Sequence, residues 1–258
     1  MSGRYWTDGR GGPGANQSVN ATTGAGSGGI YLIPPATWSA QSFTMCGFAH
    51  LVTLTGNYAL FSADTGFTTG SSYNGFNGSC PTITWATFSQ TINVGTFSTT
   101  GWDFIACWGN GPSLGGYAWL ASGASTWVTG TGANPAGASN EYIWLAENGF
   151  QNKTTFPGYL CGFRVWGYPL TLTELQREAS QISPYSQRNL ISYLPLNGRG
   201  GALQDRAVPG VSYTAYSSFA FTNGLLRPPV PEVVVRKRFS FGSHAKTVSN
   251  VIFDNMNC

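Results

Sequence analysis

Charge is what this sequence has least of. Asp, Glu, Lys and Arg together make up 9% of its 258 residues, against roughly a quarter in an ordinary soluble domain. Histidine occurs only at His50 and His244, so a Ser-His-Asp triad or a His-based metal centre has little to draw on. The five cysteines (Cys46, Cys80, Cys107, Cys161, Cys258) are irregularly spaced and form no C-x-x-C, which leaves a zinc knuckle or a thioredoxin-like site unsupported. There is no P-loop, no Gly-x-Gly-x-x-Gly helix entry and no His-Glu-x-x-His. No stretch approaches the ~18 apolar residues of a membrane span. The opening MSGRYWTDGRGGPGANQ has no apolar core of a secretory signal, so the expectation is a chain made in a cytosol, with no membrane partner. Residues 227–258 hold five basic and two acidic side chains, leaving the first 226 residues balanced at eight of each. Phosphate neutralisation needs clustered Lys and Arg, so no nucleic-acid partner is expected.

What is abundant is glycine, at 35 residues, and tryptophan, at nine. Large rings and β-branched residues supply burial that a disordered, polar chain lacks. The pattern is therefore read as a turn-rich all-β protein with an uncharged polar surface. Residues 1–29 form a Gly-rich N-terminal arm whose one bulky pair is Tyr5-Trp6. Its composition cannot bury enough surface to fold alone, so the arm is either disordered or ordered across a neighbouring subunit with Trp6 as anchor. Residues 30–226 form one domain. Strands are predicted at 30–33, 43–54, 58–62, 82–88, 90–94, 102–108, 117–121, 125–129 and 141–145, and later at 189–196, 211–215 and 219–221. Both alternating sets of 43–54 are apolar, so this strand is expected to be covered on both faces. Residues 227–258 form a Pro-led basic tail whose Pro228-Pro229 start favours an extended connector. The tail then carries strand-like segments at Val233-Val234-Val235 and Arg238-Phe239-Ser240-Phe241, with Arg236, Lys237 and Arg238 a short basic run that is solvated or touches an anionic partner. The tail docks on a neighbour's sheet edge or folds back on its own domain.

The densest signal is FPGYLCGFRVWGYPLTLTELQREAS, residues 156–180. A strand should run to Tyr168-Pro169. Thr171 and Glu174 stand in capping-box relation, so a short helix is predicted near 172–181 with Leu172, Leu175 and Ala179 on one face. This strand and helix, with the later Leu190-Ile191-Ser192-Tyr193-Leu194-Pro195-Leu196-Asn197-Gly198 and Asp205, resemble elements of laminin-G-like (concanavalin A-like) jelly-roll domains. The resemblance implies an all-β jelly-roll sandwich with a single short helix. The second element follows the helix here instead of opening the domain. With the trailing Arg227-Pro228-Pro229-Val230, that order resembles jelly-roll proteins of tailed bacteriophages.

Chemistry finds few carriers. Glycoside hydrolases need two carboxylates facing each other across the scissile bond. Those of the resembled fold carry them on one strand as Glu-x-Asp-x-x-Glu or a close variant, a cluster absent from this chain. No cofactor is expected. Calcium alone stays open, through rim oxygens of Asp64, Asn74, Asn77 and Asp103. His50, Cys46, Cys107 and Cys161 lie in apolar strand patterns and are read as core residues. Most tryptophans are read as core, while Trp119 and Trp127, flanking the turn Ser122-Gly123-Ala124, are the candidates for exposed rings that stack on a glycan. Cys258 is either an inconsequential thiol or an interchain disulfide. Trp6, Arg236, Lys237, Arg238, Phe239 and Phe241 are candidate assembly contacts. The resemblance implies a non-enzymatic bacteriophage virion protein, foremost a capsid decoration or cementing protein. It would form a homotrimer and contact other virion proteins such as the major capsid protein. The alternatives are a glycan-binding module of a phage tail or fibre, recognising host-surface glycans, and, more remotely, a glycoside hydrolase.

Overall fold

A computed structural model describes residues 18–21, 29–33, 38, 42–52, 57–64, 73–79, 81–87, 91–131, 142–145, 156, 158–196, 207, 214–216 and 219–222. In chain order the strands are β1 (Ser18–Ala21), β2 (Gly29–Leu32), β3 (Ser42–Leu51), β4 (Asn57–Asp64) and β5 (Tyr73–Ser79). They continue with β6 (Thr82–Thr87), β7 (Thr91–Thr96), β8 (Asp103–Asn110), β9 (Ser113–Trp119) and β10 (Ser125–Thr131). After β11 (Tyr142–Leu145) and β12 (Gly158–Trp166) comes α1 (Leu172–Ala179), then β13 (Leu190–Leu194), β14 (Thr214–Tyr216) and β15 (Phe219–Thr222). One sheet has the order β10-β9-β8-β3-β12-β1-β15, with β13 also on β12, and the other β14-β2-β11-β4-β5-β6-β7. The strand pairings within both sheets are antiparallel. The chain is a jelly-roll β-sandwich of two antiparallel sheets, with a single short helix among the described residues.

The inter-sheet core takes alternate residues of the facing strands. Phe43, Met45 and Leu51 of β3, Ile105 and Cys107 of β8, and Phe163 and Val165 of β12 meet Tyr58, Leu60, Phe76 and Ile143 from the other sheet. The complementary residues of the first sheet are buried too, against the far side, where α1 lies. β3 is thus covered on both faces, as its unbroken apolar pattern requires. Thr171 caps α1 as expected: its hydroxyl accepts from Glu174 N–H and the Glu174 carboxylate accepts from Thr171 N–H at 2.8 Å. Leu175 and Ala179 are buried, and Leu172 packs partly against the same cluster.

A bulge in β12 decides what the helix meets. Gly162 has φ +61°, and the pairing of β12 with β3 slips there, so that Cys161 faces Phe48 and Arg164 faces Cys46. The extra residue reverses the alternation. Phe163 therefore enters the inter-sheet core and Arg164 turns outward, under α1.

Three segments differ from the sequence expectation. β5, YNGFNGS, has the Gly and Asn content of a turn and was not expected as a strand, yet it pairs on both sides with β4 and β6. β9 starts at Ser113, earlier than expected, because Gly115 and Gly116 lie inside the strand. Ser18–Ala21, within the stretch read as an N-terminal arm, forms a strand between β12 and β15 of the same chain.

Candidate functional site

The outer face of the first sheet can be read row by row from its register. One row runs Ser125, Trp119, Phe104, Phe48, Cys161 across β10, β9, β8, β3 and β12. The next runs Trp127, Tyr117, Ala106, Cys46, Arg164, and the third Thr129, Gly115, Trp108, Thr44, Trp166. Towards β12 this face is closed by α1 and the loop after it. There Trp166 is fully buried and gives its indole N–H to Ser186 O at 3.0 Å. Thr44 Oγ1 ties the helix entry to β3, donating to Tyr168 O and accepting from Leu170 N–H, both at 2.8 Å.

Towards β10 the rings surface. Trp119 is 38% exposed. Trp127 and Trp108 are half-buried and stack with centroids 5.6 Å apart and planes 22° from parallel. The stack exists because position 115 has no side chain. A Cβ there would lie 2.3 Å from Trp108 Cε2 and Cζ2, so the Trp108 indole lies flat over the β9 backbone. Ser125 and Thr129, on the same side of β10 as Trp127, are exposed hydroxyls flanking that ring. The arrangement is an aromatic ledge with neutral hydrogen-bonding groups along its edge. Such a surface stacks on flat, partly apolar ligands and performs no bond chemistry by itself.

Of the residues the sequence singled out, Trp119 and Trp127 come together on this ledge. Trp108 and Gly115 were missed as parts of it. The register signal was there, since both fall in phase with Trp119 and Trp127 once β9 is extended back to Ser113. Trp6, Arg236, Lys237, Arg238, Phe239, Phe241 and Cys258 lie outside the described residues. Cys46, Cys107 and Cys161 are buried free thiols, and burial pushes the Cys161 thiol up to about 12.

The four residues proposed for calcium divide between the sheets by strand, with Asp64, Asn74 and Asn77 on β4 and β5 and Asp103 on β8. Among the described residues no group of three or more His, Cys, Asp or Glu is placed to hold a metal. Asp103 instead joins two loops to the start of β8, Oδ1 accepting from Ala121 N–H and Oδ2 from Ser98 N–H, each at 2.8 Å. Asp103 is fully buried, and burial pushes its carboxyl up to about 6, the two amide bonds pulling it back only in part. Raised above its unfolded value of 3.8, this group stabilises the fold most below about pH 4 and loses that contribution as pH rises through about 6. Wild type should therefore lose stability across that window relative to Asp103→Asn, by an amount on the order of 1–3 kcal/mol. Thermal melts of both proteins at several pH values check this; parallel curves would refute it.

His50 is half-buried, edge-on to Trp102 at 5.7 Å and beside Tyr159 at 6.0 Å, and burial lowers its pKa. Glu174 is engaged in the helix cap and Glu178 in an ion pair with Arg164.

No protein-family model matches the sequence, and no curated protein sequence matches it either. Solved structures share the fold. A Bacteroides ovatus protein assigned as carbohydrate-binding superposes with a TM-score of 0.60 at 16% identity, over 84% of this chain and 61% of that one. The heptameric SAP-like pentraxin of Limulus polyphemus gives 0.53 at 13% identity, covering 82% of this chain and 97% of its own. The enzymatically active domain of tailspike protein 2 from bacteriophage CBA120 gives 0.50 at 12% identity, covering 70% and 34% respectively. The chain thus spans 61% of the length of the Bacteroides protein. At these identities the likeness is one of fold.

Proposed function

We propose that this jelly roll is a non-enzymatic carbohydrate-binding module. The observation that carries the reading is the exposed Trp119 ring beside the stacked Trp108–Trp127 pair, fringed by hydroxyls. Pyranose rings present C–H faces that pack on indoles while their hydroxyls bond to side chains at the rim. The assigned role of the Bacteroides protein supports this reading. Three of the ten carboxylates, Asp103, Glu174 and Glu178, are engaged in holding loops, a helix cap and a buried cation.

The setting we propose is a bacteriophage particle, with the module presented at the tail or fibre to host-surface glycans. The tailspike comparison and the sequence resemblance both lean this way. Capsid decoration, and attachment as a trimer through 1–29 and 227–258, rest on the sequence resemblance alone.

Glycan-array screening followed by calorimetry on the best-retained glycan tests the module. Trp119→Ala should weaken binding at least ~10-fold, or ~1.4 kcal/mol, with the melting temperature little changed because the ring is exposed. Undiminished affinity in Trp119→Ala, or no glycan retained at all, would sink the proposal.

A further inference from the structure

From residue 11 to residue 152 the chain contains no lysine and no arginine. That span holds every strand from β1 to β11, and the remaining strands contribute only Arg164, which is fully buried. Around the ledge, the exposed polar groups of β8, β9 and β10 are hydroxyls and an amide. Ser125 and Thr129 flank Trp127, and beyond Thr129 the next row brings Thr131, Ser113 and Asn110 into register. The charged residue of β8, Asp103, points away from this face and is negative. Two exposed cations are described near α1. Arg177 lies over the Tyr185 ring at 5.2 Å and Arg188 over the Tyr168 ring at 5.5 Å.

We infer that the ledge selects uncharged saccharides and discriminates against sialic acids, uronic acids and sulfated sugars, a specificity that rests on the carbohydrate reading above. A carboxylate or sulfate brought onto the strands of this face loses its hydration and meets, among their described residues, no exposed guanidinium or ammonium to replace it. A neutral sugar loses only hydroxyl hydration. Ser, Thr and Asn restore it in kind, because each both donates and accepts. The discrimination arises from a missing partner for the wrong ligand as much as from contacts to the right one. Binding is therefore expected to be nearly independent of ionic strength, since the described residues of β8, β9 and β10 offer no cation whose pairing salt would screen.

The test uses an array of neutral oligosaccharides, each printed beside its sialylated, uronic or sulfated counterpart, read on the full chain and on Trp119→Ala. Retained glycans should be neutral, with the acidic counterpart bound at least ~10-fold more weakly. Affinity should change less than about twofold between about 50 mM and about 500 mM NaCl. Thr129→Lys should raise retention of the acidic counterparts. Acidic glycans held more tightly than neutral ones, lost in Trp119→Ala and weakened by salt, would overturn the specificity while leaving the carbohydrate module standing. No retention of either class would overturn both.

Discussion

Arg164→Ala is expected to destabilise the fold by about 3–5 kcal/mol, since removing one partner of a buried ion pair strands the other charge. At roughly 2–4 °C per kcal/mol for a domain of this size, the melting temperature should fall by roughly 10 °C. Arg164 and Glu178 are both fully buried and joined at 2.5 Å. The guanidinium also donates to three carbonyls, those of Glu178 (3.0 Å), Gln181 (2.6 Å) and Ile182 (2.5 Å). From the other side, Glu178 Oε1 accepts the N–H groups of Tyr185 and Ser186, each at 2.9 Å. The pair therefore ends the helix and shapes the loop that returns to β13. An isolated buried pair can often be replaced by two apolar residues at little cost. Here Arg164→Met with Glu178→Leu should not recover wild-type stability, because the part-buried carbonyls of Gln181 and Ile182 and the two amides lose these partners, while Glu178 O keeps the Gln181 N–H at 3.4 Å. The double variant should lose less than the sum of Arg164→Met and Glu178→Leu alone, since neither charge is then stranded. Denaturant melts of the four proteins read this directly. A double variant as stable as wild type would show that the backbone groups find other partners and that the network does not set the loop.

This network shows where sequence reading works and where it stops. The Thr171–Glu174 cap and the Leu175–Ala179 face were legible because helical spacing and capping are local. β3 was legible because ten residues with both faces apolar admit few alternatives. Arg164 was not. Alternation counted straight through from Leu160 gives Arg164 the face of Leu160, the inter-sheet core, and only the Gly162 bulge turns it to the other side. A glycine in a strand signals a bulge or a close approach but does not say which. The same ambiguity hid β5, where Gly and Asn are held extended by neighbours on both edges. In β9, Gly115 makes room for Trp108 on one face and Gly116 for Val94 on the other, where a Cβ would lie 2.5 Å from Val94 Cγ2. Trp119 and Trp127 could be singled out because they flank a turn, and of the two it is Trp119 that the fold leaves exposed. What lies beneath them belongs to strand register, which no single segment reveals.

Gly115→Ala is expected to be the most damaging single-methyl change on the ledge. The added Cβ would sit 2.3 Å from two ring carbons of Trp108 and 2.4 Å from its Nε1. A rigid indole cannot fold around it. β9 is held on both edges by β8 and β10, so its backbone cannot recede. The ring must therefore swing off the sheet, breaking the stack with Trp127. Overpacking of this kind costs about 1–3 kcal/mol, and glycan affinity should drop with it, because Trp127 loses the support that fixes its plane. Stability alone would not separate this from a general strain in β9, so the check is a double-mutant cycle with Trp108→Ala. If the clash with the indole is the cause, Gly115→Ala should cost markedly less when Trp108 is already alanine, a coupling of about 1 kcal/mol or more. The coupled-indole signal in the near-ultraviolet circular dichroism should vanish in Gly115→Ala, in Trp108→Ala and in Trp127→Ala alike. Additive costs with the signal intact in Gly115→Ala would mean that the ring has room to lie flat after all, and that position 115 does not build the ledge.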